Sequence, residues 1–278
     1  MIQLLHFELY KLIRQPRVWI TFGIMVILMA LINVGMAADG EKMFELLLKP
    51  LTEQFLIQGN LLNGNLISYL ALNMLWVHIP VLLVIVTADV FSGELESGTI
   101  RNMLCSDWSR GQWLFAKIAV VFLYIFVFML FSGFVMTLPS LLLFGRGDLL
   151  LFFNGVQVLL SHQVVWRFSG ALLFGTLGML TFAGISLMFS VLLRNTLAAI
   201  LASLGILVVS TLLQTFGLGI FESWKPVLFT YHMSQWQLFF TQEIDIYALL
   251  ISTVVLIAHL AVVLGISFFQ FNRMNITE

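Results

Sequence analysis

Long apolar stretches separated by short polar segments dominate the pattern of this chain. Six of these stretches contain no Asp, Glu, Lys or Arg, and they cover about 18–38, 68–88, 118–138, 168–193, 197–219 and 247–269. Each is long enough to cross a hydrocarbon core of about 30 Å, since a helix rises about 1.5 Å per residue. The short alternating segments of a membrane β-barrel are absent from the sequence. The pattern therefore predicts an all-α polytopic membrane protein, with six transmembrane helices in one domain over 1–278.

The segment before the first stretch has the periodicity of an amphipathic helix over 2–14. Its apolar face comprises Ile2, Leu5, Leu9, Leu12 and Ile13, and its polar face comprises Gln3, Tyr10, Lys11 and Arg14. We expect this helix to lie in the membrane interface and to end at Pro16. The first apolar stretch is too long for a typical signal-peptide core, so we expect it to be retained as a span.

Other features outside the regular spans carry further expectations. Pro80 should kink the second span, because proline lacks a backbone donor. The interrupted apolar segment 148–166 is too short to cross and is interpreted as an outer interfacial helix. The tight turn 194–196 should join the fourth and fifth spans as an antiparallel hairpin. The segment 221–246, broken by Pro226, should form short interfacial or re-entrant helices before the last span.

The composition agrees with membrane insertion and excludes several classes. Hydrophobic residues make up 60% of the 278 positions, charged residues make up 10%, and the mean hydropathy is +1.03. A soluble domain has roughly a quarter charged residues. The net charge of −1 offers no basic field for nucleic acid. A single cysteine, Cys105, excludes an internal disulfide framework and a cysteine-based zinc site, and no histidine has metal-ligand spacing to another ligand.

Basic residues predict the orientation of the spans. With the N-terminus inside, eight Lys and Arg residues fall on the cytoplasmic side and five on the outer side. The eight are Lys11, Arg14, Arg17, Arg101, Arg110, Lys117, Arg194 and Arg273. The positive-inside rule therefore predicts that both termini are cytoplasmic.

One polar interruption, 89–117, is longer than a simple connection between the second and third spans requires. Glu94, Gly98 and Arg101 would share one face of a short helix, which gives that helix a polar side for docking. Ser106 is a candidate cap for the helix that leads into the third span, with Asp107 in its first turn. We therefore expect this loop to bind another protein.

The loop resembles that of the permease subunits of type-2 ABC transporters. The resemblance rests on the order Glu94-x-Glu96-x-Gly98-Thr99, Leu104, Ser109-Arg110 and Lys117, and on the six-span layout of the whole chain. The family commonly has a proline where this chain has Asp107, so we expect the local turn to depart from the family pattern at that point. The resemblance implies a cytoplasmic coupling helix that meets an ATPase. The residues that it implicates are Gly93, Glu94, Glu96, Ser97, Gly98, Thr99, Arg101, Asp107, Ser109 and Arg110.

The resemblance also implies the partners. The chain has no GxxxxGK[ST] phosphate-binding loop, so we expect it not to be an enzyme, to carry no cofactor, and to leave ATP and magnesium to a separate ATPase. Two cytosolic ATPase subunits and a second permease subunit, identical or homologous, would complete the transporter in a bacterial plasma membrane. No catalytic cluster and no metal site is expected on this chain.

Polar positions inside the spans are candidates for a substrate pathway. They comprise Tyr69, Asn73, Trp76, Pro80, Ser203, Ser210 and Gln214, which would equally serve as hydrogen-bonding contacts between helices. Spans without ionisable groups argue for an external energy source and against coupling to protons or sodium. The sequence thus favours an ATP-driven exporter of an amphipathic or hydrophobic substrate such as a peptide, a lipid-linked molecule or a drug. A sensing or recruiting subunit without transport, and a secondary carrier, are the alternatives.

Overall fold

The structure, a computed structural model, describes residues 1–52, 62–100, 108–152, 156–216 and 222–274. Helices dominate these ranges, with one pair of short strands. In chain order the elements are α1 (Ile2–Ile13), α2 (Pro16–Thr52), α3 (Gly64–Leu75), α4 (His78–Thr87), α5 (Asp89–Glu96), α6 (Arg110–Phe144), β1 (Leu149–Phe152), β2 (Val156–Leu159), α7 (Ser161–Leu193), α8 (Thr196–Phe216), a 3₁₀ helix (Glu222–Val227), α9 (Phe229–Ser234), a second 3₁₀ helix (Gln235–Phe240) and α10 (Ile246–Arg273).

Six helical segments within the described ranges are long and apolar enough to cross a membrane. They are Pro16–Met43, His78–Glu96, Arg110–Phe144, Ser161–Leu193, Thr196–Thr215 and Ile246–Arg273. The predicted six-span helical membrane architecture is confirmed at this level. The second segment differs from the predicted 68–88, because a break separates α3 from α4 and the helix continues past Ala88 through α5.

Pro80 explains why the second span is not one helix. Helix α3 ends at Leu75 and α4 begins at His78, so the break falls about one turn before the proline. Proline has no N–H to donate to the carbonyl of the residue four positions earlier, which is Trp76. The predicted kink is confirmed, and it is a break between two helices.

The interpretation of 148–166 as an interfacial helix was wrong. Strands β1 and β2 form an antiparallel pair in which Leu149 lies opposite Leu159 and Leu151 lies opposite Gln157. Burial alternates along these strands, as expected for β-structure: Leu149, Leu151 and Leu159 are buried, while Val158 is exposed. The Asn-Gly dipeptide at 154–155, which interrupts the apolar segment, lies outside the described residues.

The cap of the third span also differs from the prediction. Helix α6 begins at Arg110, and the Ser109 hydroxyl accepts a hydrogen bond from the Gln112 N–H at 3.3 Å. The Gln112 side chain accepts in return from the Ser109 N–H at 2.8 Å, which completes a capping box. Ser106 and Asp107, the predicted cap and first-turn acid, lie outside the described residues.

Contacts among the helix ends, turns and loops show which of them lie together at each of the two ends of the helical bundle. At one end α1, the end of α5, the start of α6, the α7–α8 turn and the end of α10 meet. We call this the clustered end. At the opposite end the Asn63 amide donates to the Asp148 carbonyl at 2.9 Å, the Asn65 amide donates to the Gly147 carbonyl at 2.6 Å, and the β-hairpin leads into α7. The first and last described residues therefore lie at the same end of the bundle.

Close packing at the opposite end yields a first prediction. A Cβ added at Gly64 would lie 2.5 Å from the Ser140 carbonyl oxygen and 2.6 Å from the Leu141 Cα, both of which are backbone atoms. We expect Gly64→Ala to lower the stability by about 1–3 kcal/mol through overpacking, measured as a lower thermal unfolding midpoint in detergent. Gly35→Ala is the matched control, because a Cβ there meets nothing within 4 Å and alanine favours helix. Equal midpoints for the two variants would contradict this packing.

Candidate functional site

Four charged side chains from three helices meet at the clustered end of the bundle. Glu8 and Lys11 come from α1, Glu94 comes from α5, and Lys117 comes from α6. The Lys117 ammonium lies 3.1 Å from a Glu8 carboxylate oxygen and 2.6 Å from a Glu94 oxygen. Lys11 pairs with Glu8 at 2.9 Å and also with Glu94. We call these four residues the charge cluster.

Burial makes this pairing obligatory. Lys117 is 1% exposed and Glu8 is 2% exposed. An unpaired charge in such a place costs several kcal/mol, whereas each of these charges faces an opposite one. The Lys117 ammonium also donates to the Val90 carbonyl at 3.3 Å and lies 5.3 Å from the centre of the Phe91 ring. Two carboxylates and two ammonium groups leave the cluster electrically balanced.

Lys11 illustrates how the cluster keeps its charges. Burial lowers the pKa of this lysine, but the negative charges of Glu94 and Glu8 outweigh burial and hold its pKa above the ordinary value. Lys11 therefore remains an ammonium at neutral pH. Helix α1 is thus bound to α5 through Lys11 and to α6 through Glu8.

The charge cluster changes the argument that the spans lack ionisable groups. Lys117 lies just before the predicted third span and Glu94 lies in the predicted polar loop. The structure places both inside helices that are long enough to cross a membrane. The absence of ionisable groups therefore cannot be used against an ion-coupled carrier.

Glu96 belongs to a second set of contacts, on the other side of α5. Its carboxylate accepts hydrogen bonds from the Asn195 amide at 2.8 Å and from the Thr196 N–H at 2.9 Å. It also accepts from the Thr196 hydroxyl at 3.0 Å. Thr196 is the first residue of α8, so Glu96 places its negative charge at the positive end of that helix dipole. The end of α5 is thereby joined to the α7–α8 turn.

Hydroxyl groups extend this connection along α5. The Ser190 hydroxyl accepts from the Ser92 N–H at 2.8 Å and donates to the Ala88 carbonyl at 2.6 Å. The Ser92 hydroxyl lies 2.9 Å from the Thr196 hydroxyl, and Asp89 forms an ion pair with Arg17 of α2. Helix α5 therefore contacts α1, α2, α6, α7 and α8 through polar side chains.

The predicted coupling residues that follow α5 form an exposed tip. Gly98 has a φ of +69°, in the left-handed region where glycine is favoured. The Ser97 and Thr99 hydroxyls lie 3.0 Å apart and are exposed. Gly93 faces Asp89, whose carboxylate oxygen would lie 2.6 Å from an added Cβ. Arg101 and Asp107 lie outside the described residues.

The two remaining predicted coupling residues, Ser109 and Arg110, lie at the start of α6. Ser109 caps this helix as described above. The Arg110 guanidinium donates to the Asn272 carbonyl at 3.3 Å and to the Met274 carbonyl at 2.8 Å. This contact joins the start of the third candidate span to the end of the last one.

Three of the predicted pathway residues, Trp76, Pro80 and Gln214, line one cavity of about 150 Å³. The cavity lies beside the break between α3 and α4. Its other lining residues are Val77, Leu207, Thr211, Thr215, Thr230, Met233 and Ser234. Among the described residues, the lining has hydroxyl, amide, indole and aliphatic groups and no charged side chain. Such a lining suits a neutral, partly polar group.

The other predicted pathway residues lie around this cavity or away from it. The Ser210 hydroxyl lies 2.7 Å from that of Thr230, which places it behind the lining. The Asn73 amide oxygen accepts from Gln237 at 3.2 Å, and the Tyr69 ring packs on Phe240 at 4.9 Å. Both pairs join α3 to the second 3₁₀ helix. Ser203 donates to the Ala199 carbonyl of its own helix at 2.6 Å.

Sequence reasoning missed the partners of the coupling residues. The amphipathic helix predicted over 2–14 has Lys11 on its polar face and assigns no role to Glu8. The structure instead buries a face that contains Leu4, Glu8 and Leu12. An acidic residue between two leucines on one helical face was the available signal. Thr230 and Ser234 carried no signal, because their segment has no regular periodicity.

A resident metal has no evident place in the described part of the chain. No group of three or more His, Cys, Asp and Glu side chains there is arranged to hold a metal ion. His232 is instead bound between the Pro226 carbonyl at 2.7 Å and the Ser252 hydroxyl at 2.9 Å.

The six apolar helices of spanning length within the described residues indicate a multi-pass membrane protein. A family model with the description Protein of unknown function (DUF2705) matches residues 26–277, which is most of the chain. The chain therefore belongs to that family. A comparison with curated proteins gives no match.

The charge cluster generates a second prediction. Glu8→Gln and Lys117→Met each leave an unbalanced buried charge, so we expect each to cost about 3–5 kcal/mol. The double variant leaves the balanced pair of Lys11 and Glu94, so it should cost clearly less than the sum of the single variants. Thermal unfolding in detergent measures the three variants against the parent protein.

The exposed pair of Asp39 and Lys42 provides the control for this cycle. Their charged atoms are 3.4 Å apart and both side chains are largely exposed. Asp39→Asn and Lys42→Met should each change the stability by less than about 1 kcal/mol. Strictly additive effects for Glu8→Gln and Lys117→Met would show that the charge cluster does not hold the three helices together.

Proposed function

We propose that the chain is the permease subunit of an ATP-driven exporter of the type-2 ABC class. The resemblance of the loop sequence suggests the class. The contacts of α5 are the observation that carries the proposal. This short helix sits between the charge cluster on one side and the α7–α8 turn on the other, and it ends in an exposed tip.

These contacts provide a physical route for coupling. A force applied to the tip at Ser97–Thr99 reaches α1 and α6 through Glu94. It reaches α8 through Glu96, which holds the first residue of that helix. Helix α8 and the α3–α4 break line the same cavity, so movement of α5 relative to α8 would change the shape of the cavity. ATP and magnesium would bind to separate ATPase subunits, and the chain itself would not be an enzyme.

The cavity supports the proposed substrate class. None of its described lining residues is charged, and the charged side chains of α5 contact other helices. A neutral or amphipathic group fits such a lining better than an ion does. An amphipathic or hydrophobic cargo, such as a peptide, a lipid-linked molecule or a drug, remains the proposed substrate. A second permease subunit, the plasma membrane and cytoplasmic termini belong to the same proposal.

A secondary carrier is the second candidate function, because the charge cluster supplies the buried ionisable groups that ion-coupled carriers use. The energy source separates the two. Substrate movement in vesicles that depends on a proton or sodium gradient, without ATP, would favour the carrier.

Cross-linking from the exposed tip tests the exporter. A photo-cross-linking residue at Thr99 should capture a nucleotide-binding protein in cells that carry out transport, because Thr99 is exposed beside α5. Tyr247 is the matched control, since it is also exposed but lies at the start of α10, about 40 Å along the helix from the end that contacts Arg110. Mass spectrometry identifies the captured protein.

The comparison of the two positions decides the outcome. Capture of the nucleotide-binding protein from position 99 and not from position 247 is the expected result. Capture of no such protein from position 99, in cells where substrate movement is measured at the same time, would contradict the proposal. Purified chain alone should hydrolyse no ATP.

A further inference from the structure

The outward face of α1 carries large apolar side chains beside an arginine. Ile2, Phe7, Tyr10 and Ile13 are 84%, 49%, 50% and 47% exposed, although the other face of the same helix is buried against α6. The Arg14 guanidinium lies 4.5 Å from the centre of the Tyr10 ring. A 12-residue helix with such an outward face is unfavourable in water and favourable at a membrane surface.

The end of α10 repeats this arrangement on a separate element. The Arg273 guanidinium lies 4.1 Å from the centre of the Phe269 ring, which is 57% exposed. Helix α10 ends at the clustered end, because Arg110 binds the carbonyls of Asn272 and Met274. Two arginines, each on an exposed aromatic ring, therefore lie at the same end of the bundle as α1.

The charges at this end are unequal. All four carboxylates there among the described residues bind other groups of the protein, although Glu96 itself is exposed. Glu8 and Glu94 pair with lysines, Asp89 pairs with Arg17, and Glu96 binds the α7–α8 turn. Three exposed arginines, Arg14, Arg194 and Arg273, have no ion pair with any carboxylate of the described residues. The clustered end thus presents uncompensated positive charge next to apolar side chains.

We propose that this end binds anionic phospholipid headgroups, with Arg14 and Arg273 as the principal phosphate contacts. The aromatic rings beneath the two arginines would sit at the level of the headgroups, and Ile2, Phe7 and Ile13 would reach the acyl chains. Charge complementarity favours anionic over zwitterionic headgroups, because the excess positive charge has no counter-charge in the described protein. The site goes beyond the proposed transport function and does not depend on an ATPase.

Lipid binding to the purified full-length chain tests this site. We expect native mass spectrometry with phosphatidylglycerol to show saturable binding that exceeds the binding of phosphatidylcholine. Each juxtamembrane arginine contributes about 1 kcal/mol, so Arg14→Gln with Arg273→Gln should weaken phosphatidylglycerol binding by roughly 25-fold. High salt should reduce the difference between the two lipids.

Arg146→Gln is the matched control, because Arg146 is exposed at the opposite end of the bundle. It should leave phosphatidylglycerol binding unchanged. Inorganic phosphate in millimolar excess should not displace the lipid, because it lacks acyl chains. Equal binding by the parent protein and the Arg14/Arg273 double variant would overturn the proposal, and so would an equal loss in Arg146→Gln or full displacement by phosphate. Unchanged thermal unfolding in detergent shows that the variants are folded.

Discussion

A buried ion needs an opposite charge close to it, and this requirement organises the clustered end of the protein. Lys117 is almost completely inaccessible, and its ammonium is balanced by carboxylates from two different helices, Glu8 of α1 and Glu94 of α5. Neither helix can leave without exposing a charge to an apolar environment, which costs several kcal/mol. The N-terminal helix is therefore part of the bundle, and the predicted polar loop begins as α5, a helix held in place by these ion pairs.

The other acidic residues of α5 also have partners within the protein. Glu96 is used at the start of α8 and Asp89 is used by Arg17, so α5 is held on two sides by its own acidic residues. With these carboxylates occupied, the exposed surface of this end keeps arginines and a short tip of small polar residues. The pairing of the acidic residues thus explains both the contacts of α5 and the exposed arginines, on which the proposed coupling and the proposed lipid binding rest.

Features with a strong local signal could be predicted from the sequence. The apolar stretches predicted the six spans, and Pro80 predicted the break near Trp76. The short segment 194–196 predicted the turn between α7 and α8. Features that depend on long-range partners could not. The β-hairpin over 149–159 was mistaken for a helix, because an apolar run of a few residues fits either structure and only burial on alternate positions distinguishes them.

The charge cluster joins residues that are about a hundred positions apart, and no local pattern links Glu8 with Lys117. Trp76, Pro80 and Gln214 line one cavity because the second and fifth spans pack against each other there. Ser203, in contrast, donates its hydrogen bond to a carbonyl of its own helix.

The central claim is that the clustered end faces the cytoplasm, where a soluble ATPase can reach the tip of α5. Cysteine labelling in cells tests it most directly, with Cys105→Ser as the background and a single cysteine placed at Thr99. The account predicts that a membrane-impermeant thiol reagent leaves this cysteine unmodified in intact cells and modifies it in inside-out vesicles. Modification at Thr99 in intact cells, with none in inside-out vesicles, would place the tip outside and contradict the account.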